Sequence, residues 1–261
     1  MKQYSNAYII GFAAAVCLVC SVIVSTSAVS LKERQTQNKV LDRQKKVLTV
    51  AGLMEADQAI GADEVQEIFN ESIRILPIEL ETGEPAEGIN IETFDQRKAA
   101  KDPATSVPAP PNRAGVTRLP NTALVYERIE NGEVSLLILP IEGKGLWSTM
   151  YGFIALAPDV TTIEGITFYE HGETPGLGGE IENPSWTALW VGRQAYDENG
   201  VPAIEVIKGS AGKPEEDPHE VDGLSGATLT CRGVTYTVQF WLSDNGFKPF
   251  LQRFKAERSA A

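Results

Sequence analysis

The chain has 261 residues and a formal net charge of −12 that is unevenly distributed: residues 1–50 carry seven basic and two acidic side chains, whereas residues 51–261 carry 16 basic and 33 acidic ones. A body this acidic lacks the clustered lysines and arginines that phosphate contacts need, which excludes nucleic acid as a partner. With 43% hydrophobic residues and three cysteines, the chain is neither disordered nor a disulfide-rich scaffold.

An uncharged segment of 23 residues, 8–30, lies near the N-terminus, and Lys2 is the only charged side chain before it. At about 1.5 Å per residue, a helix of this length crosses a hydrocarbon core of ~30 Å. The apolar part of a cleaved signal peptide is shorter, roughly 7–15 residues. We therefore predict that residues 1–30 form a retained transmembrane anchor in the lipid bilayer. Cys17 and Cys20 are interpreted as small apolar side chains, because hydrocarbon disfavours thiolates.

Residues 31–55 are predicted to continue the anchor as a basic helical stalk. Between residues 31 and 50 the chain carries six basic and two acidic side chains. By the positive-inside rule, this excess of basic side chains predicts that the domain after the anchor lies in the cytoplasm.

Residues 56–261 are predicted to form one soluble α+β domain with a mainly antiparallel sheet and flanking helices. The strongest signal is a β-hairpin over residues 122–141, because its centre, Asn131-Gly132, is typical of a type I′ turn. The proline-rich stretch 98–115 lacks periodicity and is predicted to be a surface loop within the domain. The other predicted strands are 75–81, 151–157, 161–169 and 203–208, and the predicted helices are 62–73, 184–191 and 228–242, the last of which ends the domain at Asn245-Gly246.

Residues 222–230 (DGLSGATLT) lie where an irregular polar stretch becomes the last predicted helix. Ser225 is a plausible N-cap, and Gly226 permits a close backbone approach. The unpaired N–H groups of a first helical turn form a phosphate site in principle, and the hydroxyls of Ser225, Thr228 and Thr230 are predicted to crowd the same spot. Simple capping of the helix is the alternative reading of the same residues.

Two glycine-containing segments are further candidates. Residues 173–180 (ETPGLGGE) lack the glycine spacing of a dinucleotide fingerprint, which leaves a tight surface turn or a ligand-binding loop. Residues 143–147 (GKGLW) end in Trp147, which could stack on a ligand, although core packing is the more frequent use of tryptophan. His171 and His219 lack the spacing of a metal site.

The residues Asp222, Ser225, Gly226, Ala227 and Thr228 resemble the flavinylation motif D-x-x-[ST]-G-A-T of the FMN-binding domain family. The single N-terminal span, residues 143–147 and residues 171–178 (HGETPGLG) extend the resemblance. Over essentially its whole length, the chain is similar to the C subunits of the sodium-translocating NADH:quinone oxidoreductases.

The resemblance implies an electron-transfer subunit of a Na⁺-pumping membrane complex that relays electrons toward ubiquinone, with the NADH and quinone sites on other subunits. One FMN per chain would be joined to Thr228 by a phosphoester that a separate flavin transferase installs. The family places the soluble domain on the periplasmic side of the bacterial inner membrane, against the positive-inside count. The implied cofactor-binding residues are Thr228 with Asp222, Ser225, Gly226, Ala227, Leu229, Thr230, Glu173, Thr174, Leu177, Gly178 and Trp147.

Two alternatives remain open at this point. The G subunit of the related ferredoxin-linked Rnf complex shares a single span and the threonine motif. A membrane-anchored binding module without flavin would share the anchor and the fold but not the attached cofactor.

Overall fold

The computed structural model describes residues 5–55, 58 and 60–260, apart from the side chain of residue 33. Lys2, before the predicted anchor, and residue 56, the predicted start of the soluble domain, lie outside the described residues. The chain separates into two compact units, Met1–Arg43 and Gln44–Ala261. Helix α1, Asn6–Val50, begins in the first unit, and its residues 44–50 belong to the second unit. The stretch Asn6–Lys32 is long and apolar enough to cross a membrane.

The second unit is built around one antiparallel sheet of five strands in the order β1-β4-β5-β6-β7. These strands are β1 Ile73–Glu79, β4 Thr122–Glu130, β5 Glu133–Lys144, β6 Thr149–Leu156 and β7 Ile163–Glu170. Two small sheets accompany it, an antiparallel pair of β2 Ser106–Pro108 with β3 Arg118–Pro120 and a parallel pair of β8 Glu205–Val206 with β9 Glu220–Val221. The predicted α+β fold with a mainly antiparallel sheet is confirmed.

The predicted hairpin is present and its turn has the expected backbone geometry. Asn131 and Gly132 have φ angles of 53° and 84°, the positive values that a type I′ turn requires. Glu130 and Glu133 pair directly across the turn. The local sequence accounts for this turn, because asparagine and glycine adopt positive φ at little cost.

Helices cover both faces of the large sheet. One face packs on α5, Thr228–Trp241, and α6, Lys248–Ala260, through a core that includes Val234, Val238 and Phe247. On the other face, Phe69 of α2, Ala62–Ser72, meets Tyr126 edge-on, with ring centroids 6.3 Å apart. Short helices complete the domain: α3, Gln96–Lys101, α4, Pro184–Thr187, and 3₁₀ turns at Gly178–Glu182 and Ala188–Trp190.

Two predictions about the elements are wrong. The proline-rich stretch 98–115 is not wholly a loop, because it contains the end of α3 and strand β2. The helix that starts at residue 228 does not end the domain: after Asn245-Gly246 the chain continues into α6, which buries Phe250 and Leu251 against the core. The Asn-Gly pair therefore connects two helices.

Candidate functional site

The start of α5 is held in place by close contact between the helix and strand β5. Gly233 lies so near β5 that a Cβ atom there would stand 2.5 Å from the carbonyl oxygen of Lys144. Gly143 faces the helix in the same way, because its Cβ would overlap the Thr237 hydroxyl. The indole N–H of Trp241 donates a 2.7 Å hydrogen bond to the Glu142 carbonyl. These contacts fix where the first turn of α5 points.

Thr228 is the first residue of α5, and its side chain is exposed. The N-cap is Ala227, whose side chain offers no oxygen to the first turn of the helix. The prediction that Ser225 is the N-cap is wrong. A turn in which the Ala227 amide donates to the Leu224 carbonyl, with Gly226 at φ 74°, delays the helix until residue 228. The amides of the first turn therefore point toward the same end of the helix as the Thr228 hydroxyl.

The Thr230 hydroxyl is not beside those of Ser225 and Thr228, which are exposed. Thr230 is 1% exposed, and its hydroxyl donates a 2.5 Å hydrogen bond to Oε2 of Glu173. Gly178 lies against the same pair, since a Cβ there would stand 2.5 Å from the Thr230 hydroxyl oxygen. The fold thus brings the loop of residues 173–179 onto the first turn of α5.

Glu173 also holds a second segment, the turn of residues 145–148. Its carboxylate accepts hydrogen bonds from the amides of Leu146, at 3.1 Å, and Trp147, at 3.0 Å. Burial opposes ionisation of Glu173, but these amides, that of Ser148 and the Thr230 hydroxyl outweigh it and hold the pKa of Glu173 below its ordinary value. Glu173 is therefore a buried anion at neutral pH.

Four apolar side chains with large exposed surfaces lie on the three segments that Glu173 joins: the turn of residues 145–148, the loop of residues 173–179 and the first turn of α5. We call the set Leu146, Trp147, Leu177 and Leu229 the apolar rim, and between 43% and 67% of the surface of each is exposed. Leu177 approaches the helix start, because a Cβ on Gly226 would lie 2.9 Å from its side chain. The expectation that Trp147 packs in the core is wrong, because 67% of its surface is exposed. Exposed rings and aliphatic groups grouped in this way are suited to covering a flat apolar ligand.

On another side of Thr228 the surface opens into a cleft of about 670 Å³. Lys208 and Arg232 line it together with Thr228, Ser225 and Gly226. Neither cation makes an ion pair with any residue that the structure describes. Arg232 follows Thr228 by four residues, so the two share one face of the helix. The lining also includes one carboxylate, that of Glu205.

Sequence reasoning missed Lys208 and Arg232. The spacing of Arg232 from Thr228 on a predicted helix was available as a signal, but the position of Lys208 depends on how the chain folds back from β8. Cations placed beside Thr228 in a domain of large negative charge make the cleft suited to an anion.

The remaining predicted residues frame the site from behind or lie at its surface. Asp222 accepts a hydrogen bond from the Ala211 amide through its side chain and from the Trp186 indole through its carbonyl, so it braces the approach to α5. The Thr174 carbonyl accepts from the amides of Leu177 and Gly179, and the Thr174 side chain is exposed.

Comparison with known proteins gives one consistent result. The model of the FMN-binding domain matches residues 145–243. The C subunit of the Na(+)-translocating NADH-quinone reductase of Vibrio parahaemolyticus is 51% identical over 245 residues, covering 91% of each chain. Its counterpart in Pseudomonas aeruginosa is 43% identical over 257 residues, covering 97% of this chain and 98% of the other. The crystal structure of Shewanella oneidensis NqrC has 38% identity and a TM-score of 0.77, covering 85% of this chain and 99% of that one.

Proposed function

The chain belongs to the family of the C subunits of Na⁺-translocating NADH-quinone reductases, and we propose that it carries its FMN on Thr228 through a phosphoester bond. Membership makes it an FMN-carrying electron-transfer subunit of a membrane oxidoreductase complex, with the other subunits of that complex as its partners. The attachment point and the residues around it are our assignment.

The observation that carries this assignment is the position of the Thr228 hydroxyl. It is exposed at the start of an α-helix whose N-cap, Ala227, has no polar side chain, between the apolar rim and a cleft lined by two cations that pair with no carboxylate among the described residues. A phosphate joined to this hydroxyl would meet the partial positive charge of the helix start. Lys208 and Arg232 would face its negative charge, and the apolar rim would take up the ring system.

The exposed apolar surface of the site also suits a flat ring system. Gly226, at φ 74°, lets the backbone pass close to Leu177, because a Cβ there would lie 2.9 Å from the Leu177 side chain. Leu177 and Leu229 offer exposed aliphatic surface, and Trp147 offers an exposed aromatic face. When bound, FMN supplies the electron-carrying chemistry. The residues of this chain hold it, orient it and set the charge around it.

The maturation and location of the domain follow as further parts of the proposal. A flavin transferase would install the FMN, because no histidine that could activate the Thr228 hydroxyl lies among the described residues that line the cleft. Helix α1 would anchor the chain in the lipid bilayer through Asn6–Lys32, with the domain on the periplasmic side. The NADH and quinone sites would lie on other subunits.

The orientation has its own test, because the basic stalk favours the opposite side. Alkaline phosphatase fused to the C-terminus is active only outside the cytoplasm. We expect an active fusion, and an inactive fusion that is made in normal amount would contradict the periplasmic placement.

Both alternatives are weaker than this assignment. Relatives that are 43–51% identical over nearly the full length are C subunits of the Na⁺-translocating enzyme, which favours this complex over the Rnf G subunit. The match to the FMN-binding domain disfavours a module without flavin.

Denaturing gel electrophoresis tests the attachment directly. In a host that makes the transferase, the wild-type chain should give a fluorescent band, and the peptide containing Thr228 should gain the mass of one FMN less one water. Thr228→Val should lose both signals. Thr117→Val, at an exposed threonine outside the site, is the matched control and should keep them. A fluorescent band that persists in Thr228→Val would refute the attachment point.

A further inference from the structure

The carboxylate of Glu173 lies inside the wall of the site, while its neighbours in the chain form the surface. Glu173 is 5% exposed, and Leu177 in the same loop is 44% exposed. Its oxygens are directed at amides and a hydroxyl of the protein itself. Glu173 is thus placed to act on a ligand through other residues.

Three segments that are distant in sequence meet at this carboxylate. They are the turn of residues 145–148, which carries two members of the apolar rim, the loop of residues 173–179, and the first turn of α5 through Thr230. The fit is close, since a Cβ on Gly145 would stand 2.5 Å from Oε1 and one on Gly178 would stand 3.1 Å from Oε2. The carboxylate therefore fixes where the apolar rim stands relative to Thr228.

Amide and hydroxyl dipoles face the charge of Glu173. Among the residues that the structure describes, no lysine, arginine or histidine lies within ion-pairing distance of it. The amide and hydroxyl donors hold the carboxylate in its charged form without cancelling its charge. A buried charge is less screened than one in water, so its field reaches across the site.

We propose that Glu173 is a positioning residue that holds the apolar rim against α5 and that its carboxylate lowers the reduction potential of the FMN on Thr228. This inference rests on the proposed attachment at Thr228. Reduction adds negative charge to the flavin, and a nearby carboxylate that pairs with no cation in the described part of the chain makes that added charge less favourable.

Three variants of Glu173 and a remote control separate the positioning role of this residue from its electrostatic effect on the flavin. All are made in the full chain within the assembled complex. Glu173→Gln keeps the length and removes the charge. Glu173→Asp keeps the charge and shortens the reach to the amides of residues 146 and 147. Glu173→Ala removes both. Glu127→Gln removes a buried carboxylate in strand β4, which pairs with Arg74 at 2.6 Å.

Attachment is measured first, by in-gel flavin fluorescence, and the midpoint potential of this FMN is then measured by redox titration of its absorption. We expect Glu173→Gln to keep the FMN and to raise its potential. The ratio of reduced to oxidised flavin at a fixed potential should rise about tenfold, which is ~59 mV for a one-electron couple. Glu127→Gln should leave it unchanged. Glu173→Asp should alter the flavin absorption bands without raising the midpoint potential. Glu173→Ala should alter the bands and also raise the potential.

The outcomes distinguish this inference from the attachment itself. A wild-type chain without a fluorescent band at Thr228 refutes the attachment. A fluorescent Glu173→Gln chain with the wild-type potential refutes the electrostatic role, and wild-type absorption bands in Glu173→Asp refute the positioning role. If Glu173→Gln does not fold, Thr230→Ser and Thr230→Val replace it. Altered bands in the valine variant alone support the positioning role, and wild-type bands in both overturn it.

Discussion

The Thr230 hydroxyl donates a 2.5 Å hydrogen bond to the carboxylate of Glu173, a residue 57 positions away in the chain. The bond ties the first turn of the helix that begins with Thr228 to the loop that carries Leu177. Thr228 and Leu177 are exposed, and the pair behind them is buried. The surface that would contact a flavin is therefore supported by a polar connection that the flavin does not touch.

This connection makes the stability of the domain depend on pH. The pKa of Glu173 is lower in the folded chain than in the unfolded chain, so its contribution is fully present above the unfolded value, near 4.5, and is lost as pH falls through the folded value. Hydrogen bonds to a charged group are worth about 1.5–3 kcal/mol. We expect Glu173→Gln to lower the free energy of unfolding by about 2 kcal/mol at pH 7.

The deficit of Glu173→Gln should shrink as the pH falls below about 4.5, because the wild-type carboxyl becomes protonated there. Urea unfolding of both chains at a series of pH values measures the difference. Asp159→Asn is a positive control that should show the same pH dependence, because burial opposes ionisation of Asp159 but hydrogen bonds from residues 161 and 162 hold its pKa below the ordinary value. A deficit in Glu173→Gln that stays constant across the pH range would contradict the assigned charge state.

The two cations of the cleft beside Thr228, Lys208 and Arg232, should assist attachment of FMN. Arg232→Gln and Lys208→Gln each remove a positive charge that would face the phosphate. Exposed ion pairs contribute roughly 0.2–1 kcal/mol, which corresponds to a loss of up to about fivefold. We expect each variant to acquire flavin fluorescence more slowly in a time course of expression with the transferase, and the double variant to be the slowest.

Lys213→Gln is the matched control for these variants. It removes one exposed lysine from the same domain, outside the lining of the cleft. Equal rates for this control and for Arg232→Gln would show that the cleft does not hold the phosphate. An effect of the cleft that does not weaken at high salt would also contradict the electrostatic reason for it, since exposed charges are screened by ions.

The sequence predicted those features that depend on neighbouring residues. The hairpin at Asn131-Gly132 and the start of α5 at Thr228 are set by local backbone preferences, and both predictions are confirmed. The prediction that Ser225 caps α5 is wrong, because Gly226 turns the backbone before the helix starts. The burial of Glu173 could not be predicted, because its partners lie 26, 27 and 57 positions away. The charge pattern predicted neither the cleft nor its two cations, which depend on how β8 lies beside α5.

Trp147 should affect the flavin more than the fold. Its side chain is 67% exposed, so replacing it with alanine leaves no cavity in the core, and surface substitutions usually change stability by less than about 0.5 kcal/mol. We expect Trp147→Ala to unfold in urea like the wild type and to raise the fluorescence of the attached FMN, because a stacked indole no longer quenches it. Trp147→Phe should lie between the two.

Val191→Ala is a control for loss of an exposed apolar side chain outside the apolar rim, since Val191 is 46% exposed. If Trp147→Ala leaves the flavin fluorescence at the level of this control, Trp147 does not contact the flavin.

Arg193 should be the largest contributor to stability among the arginines outside the site. It is 3% exposed, and its guanidinium donates to the carbonyls of Leu189, Asp217 and Gly212 at 3.1, 2.6 and 2.8 Å. The planar fork of arginine reaches three carbonyls in different directions, which the single ammonium of lysine does not reproduce. We expect Arg193→Lys to cost about 2–3 kcal/mol and Arg193→Met to cost more, because buried carbonyls then lose their donors.

These costs should appear in urea unfolding as a lower midpoint at an unchanged m value. Arg258→Lys is the control, because its side chain is 46% exposed and its ion pair with Glu133 is a surface contact. The loop that Arg193 holds leads toward the site, since Gly212 and Asp217 precede Asp222, whose side chain accepts from the Ala211 amide. Arg193→Lys should therefore also slow the acquisition of flavin fluorescence, and an unfolding midpoint equal to that of Arg258→Lys would contradict the assigned role.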